Sequence, residues 1–229
     1  GVVMVTSTMQ SKSMITCFGK ESDIYITDPK MMKTVLVDKD QEPVLQENYQ
    51  AIADELEAAG MPVDKVSMEV WYKYACEANG KLYSVLFQQN TETHTTDYTY
   101  EKGTPPQNAY EIAITPMIAD QLGVEIGDTV TIDFGTEKRD CVVTALFQTM
   151  NQLGKVGRLH EEAPTSMKYS TTMPGFQVDF SDHPDEKEIR TRVKKIKELY
   201  GITGVFDAAG YCVDCMGVGD TMDTVRLLL

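Results

Sequence analysis

Apolar residues recur along this chain with two periods, and the places where the period changes mark its elements. Leu45, Tyr49, Ile52, Ala53 and Leu56 stand at helical spacing, and Gly60 with Pro62 ends that helix. Val66, Met68, Val70, Tyr72 and Tyr74 then alternate, which predicts one long half-buried strand. Asn79-Gly80 is a strong short hairpin signal, and Lys81 to Phe87 reads as the returning partner. With Ser22 to Thr27 ahead of the helix, the first block reads strand, helix, strand, strand. A related pattern returns after residue 172. Phe176, Val178 and Phe180 alternate, Ser181 or Asp182 can cap, and Pro184 with Asp185-Glu186 fits a first helical turn. Ile189, Val193, Ile196 and Leu199 form the apolar stripe, Lys194, Lys195 and Lys197 favour the negative C-terminal end, and Gly201 stops the helix. Ile202 to Phe206 reads as a further short strand.

Between these blocks, Glu111 to Phe147 forms a compact unit. Thr115 is placed to cap a short helix, Pro116 fits its first turn, and Gly123 ends it. Gly127-Asp128 turns the chain into the alternating stretch Thr129 to Phe134, and Gly135 to Lys138 turns it back into Cys141 to Phe147. Gln148 to Thr172 carries Asn151, Gly154, Gly157 and Pro164 and reads as a long loop. Met150, Leu153 and Leu159 leave apolar side chains there, which fits a partner-binding loop or an ordinary connection. Val2 to Phe18 and Thr221 to Leu229 read as helices at the two ends. The division expected is therefore 1–94 with 172–229 as a mixed α/β part, interrupted by a mainly β part at 95–171. The fold class is α+β, with two strand-helix-strand units around the insertion.

The 229 residues suffice for a sizeable core, and no apolar run approaches the ~20 residues of a membrane span. Val2 to Val5 is too short for the apolar centre of a secretory signal. A net charge of −14 opposes nucleic acid, whose phosphates require Lys/Arg patches, and opposes docking on an anionic membrane. It is read as a solvated acidic surface.

Candidate chemistry is sparse. His94, His160 and His183 lie far apart in polar contexts, and His160-Glu161-Glu162 is better read as an exposed polar stretch than as a cation site. Nucleophile elbows, phosphate loops and dinucleotide fingerprints are missing, and Gly217-Val218-Gly219-Asp220 lacks the third glycine. Asp182, Asp185 and Glu186 read as charge compensation at a helix start. The thirteen methionines are scattered and read as packing residues. Cys17, Cys76 and Cys141 sit in apolar periodic segments and read as small buried hydrophobes. Cys212-Val213-Asp214-Cys215 is a C-x-x-C without the rest of a thioredoxin pattern or a second ligand pair for zinc, so it reads as structural, a disulfide being one form of it. No catalytic residue, metal or cofactor is expected.

One resemblance runs through the central unit and its flanks. Lys102 to Pro106, Tyr110 to Ile114, Gln121-Leu122-Gly123 and Ile126 to Val130 resemble the "eGr.P…nEi.i…lg…GD.v.i" run of FtsX-like, MacB-type ABC-transporter permease extracytoplasmic domains. Ser22 to Thr27 resembles the strand that follows the first membrane helix in that family. The resemblance implies a porter-like α/β part near the membrane and a sabre-like β part beyond it. It also implies a non-enzymatic domain on the extracytoplasmic face of the cell membrane, flanked by membrane helices of the same chain. A separate cytoplasmic ATPase would move those helices. A peptide, lipid or envelope protein would be the cargo or partner, with no role for nucleic acid. Two other readings stand beside it. The "LG…GD.V.I" phrase also occurs in double-psi β-barrels that bind molybdopterin nucleotides in oxidoreductases, and a free-standing secreted interaction protein would carry complete ends.

Overall fold

The computed structural model describes residues 20–28, 42–149, 154–172 and 175–214. The two terminal helices expected at Val2 to Phe18 and Thr221 to Leu229 lie outside these residues. The class is α+β, as expected. Among the described residues no helix is long and apolar enough to cross a membrane.

The strands fall into two sheets. The first is antiparallel and four-stranded, from β1 (Ile24–Ile26), β2 (Val63–Met68), β11 (Phe176–Phe180) and β12 (Val205–Asp207), in the order β12-β1-β11-β2. Its one face carries Ile24, Ile26, Met68, Phe176 and Val178, all buried. Against these pack Tyr49, Ile52 and Leu56 of α1 (Glu42–Ala58) and Ile196 of α3 (Glu186–Tyr200). Its other face carries Tyr25, which stacks on Tyr211 of the short helix α4 (Ala208–Asp214) with ring centres 4.4 Å apart.

The second sheet closes on itself. β3 (Trp71–Ala78) and β4 (Lys81–Gln88) form the hairpin that Asn79-Gly80 foretells. β4 pairs with β9 (Val156–Leu159), β9 with β6 (Glu111–Ile114), β6 with β8 (Lys138–Leu146), β8 with β7 (Thr129–Asp133), and β7 returns to β3. Two of these pairings, β4 with β9 and β6 with β8, are parallel. The ring encloses Tyr74, Cys76, Val85, Phe87, Ile112, Val130, Ile132, Cys141 and Val143. β5 (Lys102–Gly103) and β10 (Ser170–Thr172) extend it at β8 and β3. Helix α2 (Pro116–Leu122) lies beside β4, ended by Gly123 at φ 67° as its left-handed conformation requires.

Five details depart from the sequence reading. The single strand expected over Val66 to Tyr74 is two, because the chain leaves the first sheet after Met68 and joins the second at Trp71. The alternation continues unbroken through the switch, so period alone conceals it. The hairpin β3–β4 pairs with β7, β9 and β10, so strands on both sides of residue 95 share one sheet. The expected loop 148–172 contains β9 and β10. Finally, Asp185 caps α3 by accepting from Glu188 N at 2.8 Å, whereas Asp182 takes a fork from Arg192 at 2.9 and 2.5 Å. Thr115 stands at the N-cap of α2, but its hydroxyl is buried without a partner.

Candidate functional site at the crossing between the sheets

Two loops and the crossing Glu69-Val70 meet where the sheets join. The loop after β4 is laced to the crossing. Gln89 N donates to Val70 O and Thr91 N to Met68 O, both at 2.9 Å, while Met68 N donates to the Thr91 hydroxyl at 2.8 Å. Tyr49 of α1 meets that same hydroxyl at 2.8 Å. The loop after β9 comes up beside it, with Gln89 Nε2 donating to His160 O at 2.9 Å and Thr165 donating to Gln89 Oε1 at 2.6 Å. Together with Lys65 they line an open cleft of about 850 Å³ whose walls carry Glu92, Asp97, Glu161 and Glu162.

Glu161 organises this cleft. His94 Nδ1 lies 3.1 Å and His160 Nε2 3.5 Å from its Oε1, and Thr95 N donates to Oε2 at 3.1 Å. Burial pushes the carboxyl up, but the hydrogen bonds from its own backbone, His94 and Thr95 outweigh that and hold it below the usual range. Two histidines that are 66 positions apart thus share one carboxylate, and His160 is buried instead of exposed. Among the described residues no group of three His, Cys, Asp or Glu side chains could hold a metal.

Beneath the cleft, on the outer face of the ring, lies a charge that the sequence reading passed over. Arg158 of β9 is 2% exposed and sits between the rings of Tyr98 and Phe147, with its guanidinium carbon 3.9 and 4.0 Å from their centres. Two flat aromatic faces are a favourable environment for a planar cation. Its Nε and Nη1 have no hydrogen-bond partner, and burial presses it below its ordinary pKa. Gly157 beside it faces inward, where a Cβ would stand 2.3 Å from the Phe87 ring. That is why this strand reads Val-Gly-Arg-Leu and hides its nature.

Glu69 is the second such charge. It is 5% exposed and belongs to the two-residue crossing itself. Gln88 Nε2 of β4 donates to its Oε1 at 3.0 Å, and the Tyr211 hydroxyl of α4 donates to its Oε2 at 3.3 Å. Burial pushes the carboxyl up to about 7, against hydrogen bonds from Tyr211, Trp71 and Gln88 that pull it down.

The residues singled out earlier are dispersed. Leu159 is 2% exposed in the ring core, so it packs and presents nothing to a partner; Met150 and Leu153 lie outside the described residues. Cys212 is buried in the second half of α4 rather than at a helix start, and Cys215 and Cys17 lie outside the described residues. Cys76 and Cys141 are buried inside the ring, and burial pushes both thiols up to about 12, as inert core residues require. A lone Glu inside the apolar run Met68 to Trp71 is the available signal for Glu69, whereas Arg158 has none, standing among Lys155, Gly157 and His160. The period-two reading placed Glu69 on a polar face instead.

No protein-family model matches the chain, and no curated protein does. Among solved structures it is similar to the periplasmic region of MacB from Actinobacillus actinomycetemcomitans, at 10% identity over 94% of this chain and 98% of that one, with a TM-score of 0.48. It is also similar to the extracellular domain of the noncanonical ABC-type transporter YknZ from Gram-positive bacteria, at 6% identity over 82% and 99%, with a TM-score of 0.43.

Proposed function

We propose that this chain is the extracytoplasmic domain of an ABC-transporter permease, a non-enzymatic part that relays movement of membrane helices to an external cargo or partner. The observation that carries the reading is where the chain comes in and where it leaves. β1 and β12 are neighbours, and Ile24 stands opposite Asp207, so the first and last described strands meet at one end of the four-stranded sheet. The ring is built wholly from the middle of the chain. A pull on the segments before Lys20 and after Asp214 therefore reaches adjacent strands first, and reaches the ring through the Glu69-Val70 crossing and the return to Phe176. The family-like run supports the same reading, since Lys102-Gly103, Glu111–Ile114 and β7 all pair with β8 in the ring and α2 lies beside β4.

On this reading the two sheets are two subdomains, porter-like and sabre-like, divided at Glu69-Val70 and between the strands Ser170–Thr172 and Phe176–Phe180. A cytoplasmic ATPase drives the motion, and the cargo is a peptide, lipid or envelope protein. The ring architecture is shared with the cofactor-binding alternative. A molybdopterin nucleotide, however, carries phosphates, and the cleft beside the ring presents four carboxylates against Lys65.

The test is mechanical. Replacing Val2–Phe18 or Met222–Leu229 with Gly/Ser linkers in the transporter should leave this domain folded while uncoupling ATP hydrolysis from the external event, because a flexible linker transmits little force. Undiminished coupling with both segments flexible would falsify the relay. Apolar spans of about 20 residues coded on both sides of the chain are expected.

A further inference from the structure

We propose that the cleft at the crossing binds a basic peptide segment, whose Lys and Arg side chains enter beside Glu92, Glu162 and Asn90. That this segment is a cargo rests on the transporter reading; that the cleft binds it does not.

The cleft has the size and the lining for such a ligand. Its volume of about 850 Å³ falls in the range of small-ligand sites, and a second hollow of about 260 Å³ adjoins it. The two share Lys65 and Glu92, so they form one groove running from the loop after β9 to α1 and β2. An extended chain fits a groove better than a compact solute does. Glu92, Asp97, Glu161 and Glu162 line the larger hollow, and Glu57 and Asp64 line the smaller. Lys65 is the one Lys or Arg among the described lining residues, with Arg158 a further cation buried beneath. Carboxylates thus outnumber cations, and the hydrogen bonds to Glu161 keep it ionised. Val70, Tyr72, Ala163 and Met167 supply apolar surface for the methylene stems of Lys and Arg.

Acidic residues alone are usually a solvated surface, and Asn90 is what separates this cleft from one. It lines the cleft yet is 8% exposed, and its Oδ1 has no hydrogen-bond partner. Buried side-chain acceptors are ordinarily paired, and leaving one without a donor is costly. An amide oxygen set among carboxylates calls for a donor, and an ammonium or guanidinium group supplies several N–H donors at once. A metal ion does not meet the same need, because among the described residues no group of three His, Cys, Asp or Glu side chains is placed to hold one.

The experiment is fluorescence anisotropy on the whole chain, with a short labelled lysine-rich peptide and its glutamine-substituted counterpart as probes. At about 0.1 M salt, charges more than about 10 Å away are largely screened, so remote carboxylates contribute little. The lysine peptide should bind, and the glutamine peptide should bind about tenfold more weakly or not at all. Glu92→Gln combined with Glu162→Gln should weaken the lysine peptide by about tenfold. Glu77→Gln combined with Asp120→Asn, both exposed at the hairpin and helix away from the cleft, makes the same change in net charge and should leave affinity within about twofold. Asn90→Leu changes no charge and should weaken binding about fivefold. Equal losses in the two charge-neutralised pairs would show attraction to the acidic chain as a whole and overturn the site. Failure of the lysine peptide to bind, or full affinity in Asn90→Leu, would overturn it too. Should Asn90→Leu fail to fold, the side-chain amide resonances of Asn90 in the wild type decide: their movement on adding the peptide supports the site, and their staying fixed overturns it. Failure here leaves the linker test of the relay untouched, and failure of the relay leaves binding in the cleft untouched.

Discussion

The two sheets manage their strand edges in opposite ways. The ring pairs β3, β4, β9, β6, β8 and β7 around a closed circuit, so its ladders need no outside help. The four-stranded sheet is open, and β1 and β12 are only three residues each. Its order depends on what is packed against it: α1 and α3 on one face, α4 on the other. It depends also on polar ties such as Asp23 Oδ2 accepting from Phe180 N at 2.8 Å and the Arg192 fork to Asp182 and Glu188. The contrast teaches that the part holding the first and last described strands is the less self-sufficient one.

The largest blow to this contrast comes from the ring core. Phe87 is fully buried and lies against Tyr74 and Gly157. Phe87→Ala should cost about 3–5 kcal/mol. Exchange protection should fall together across the six ring strands while β1, β11 and β12 keep theirs. Equal loss in both sheets would mean a single cooperative unit and would break the comparison.

Glu69 sharpens it next, because it belongs to both parts. Its carboxyl is raised to about 7 in the fold, so between the unfolded pKa and 7 the native state holds more protons than the unfolded chain. Stability should therefore fall as pH rises through that window, by on the order of 3 kcal/mol, and level off above it. Glu69→Gln should lack this slope and exceed wild type at pH above 7. Denaturant melts across pH decide; equal slopes in the two proteins would remove Glu69 from the crossing's energetics.

Arg158 gives a smaller effect that tests what the ring buries on its outer face. Arg158→Ala empties the space between Tyr98 and Phe147 and should cost about 2–4 kcal/mol. Arg158→Met fills that space without a charge to desolvate, and should stay within about 1 kcal/mol of wild type. A loss in Met as large as in Ala would show that the charge, not the packing, is what the aromatic rings need.

Why these two charges escaped a reading of the sequence, while most elements did not, follows from how local each cause is. Asn79-Gly80, the 3.6 period of α1 and α3 and the run through α2 and β7 are determined by neighbours within a few positions, and all stand where expected. β9 is different. Its glycine is required by Phe87, 70 positions earlier, and its arginine is covered by Tyr98, Tyr100 and Phe147. In isolation Val-Gly-Arg-Leu resembles a loop. The switch at Glu69-Val70 was hidden for another reason. Both strands alternate in the same phase, so only the identity of their partners separates them. His94 and His160 meet at Glu161 because two loops converge, and loop convergence leaves no period at all.

The smallest expected effect lies at the far tip of the ring, where Asn79 does two things at once. It takes φ 54°, a left-handed conformation that Asn tolerates better than most residues, and Gly80 follows at φ 72°. Its Nδ2 also donates to Leu122 O at 3.0 Å and Gly123 O at 2.7 Å, closing the C-terminal end of α2. Gly80→Ala meets no atom within 4 Å, so it tests backbone strain alone and should cost about 1 kcal/mol. Asn79→Gly relieves that strain and removes only the two hydrogen bonds, one part-buried and one exposed; its net change should be within about 1 kcal/mol. Exchange at the end of α2 should rise in Asn79→Gly and stay unchanged in Gly80→Ala. If both variants loosen α2 equally, the helix is held by the shape of the hairpin and not by the asparagine. The ring would then be rigid by its strands alone, without the helix beside it.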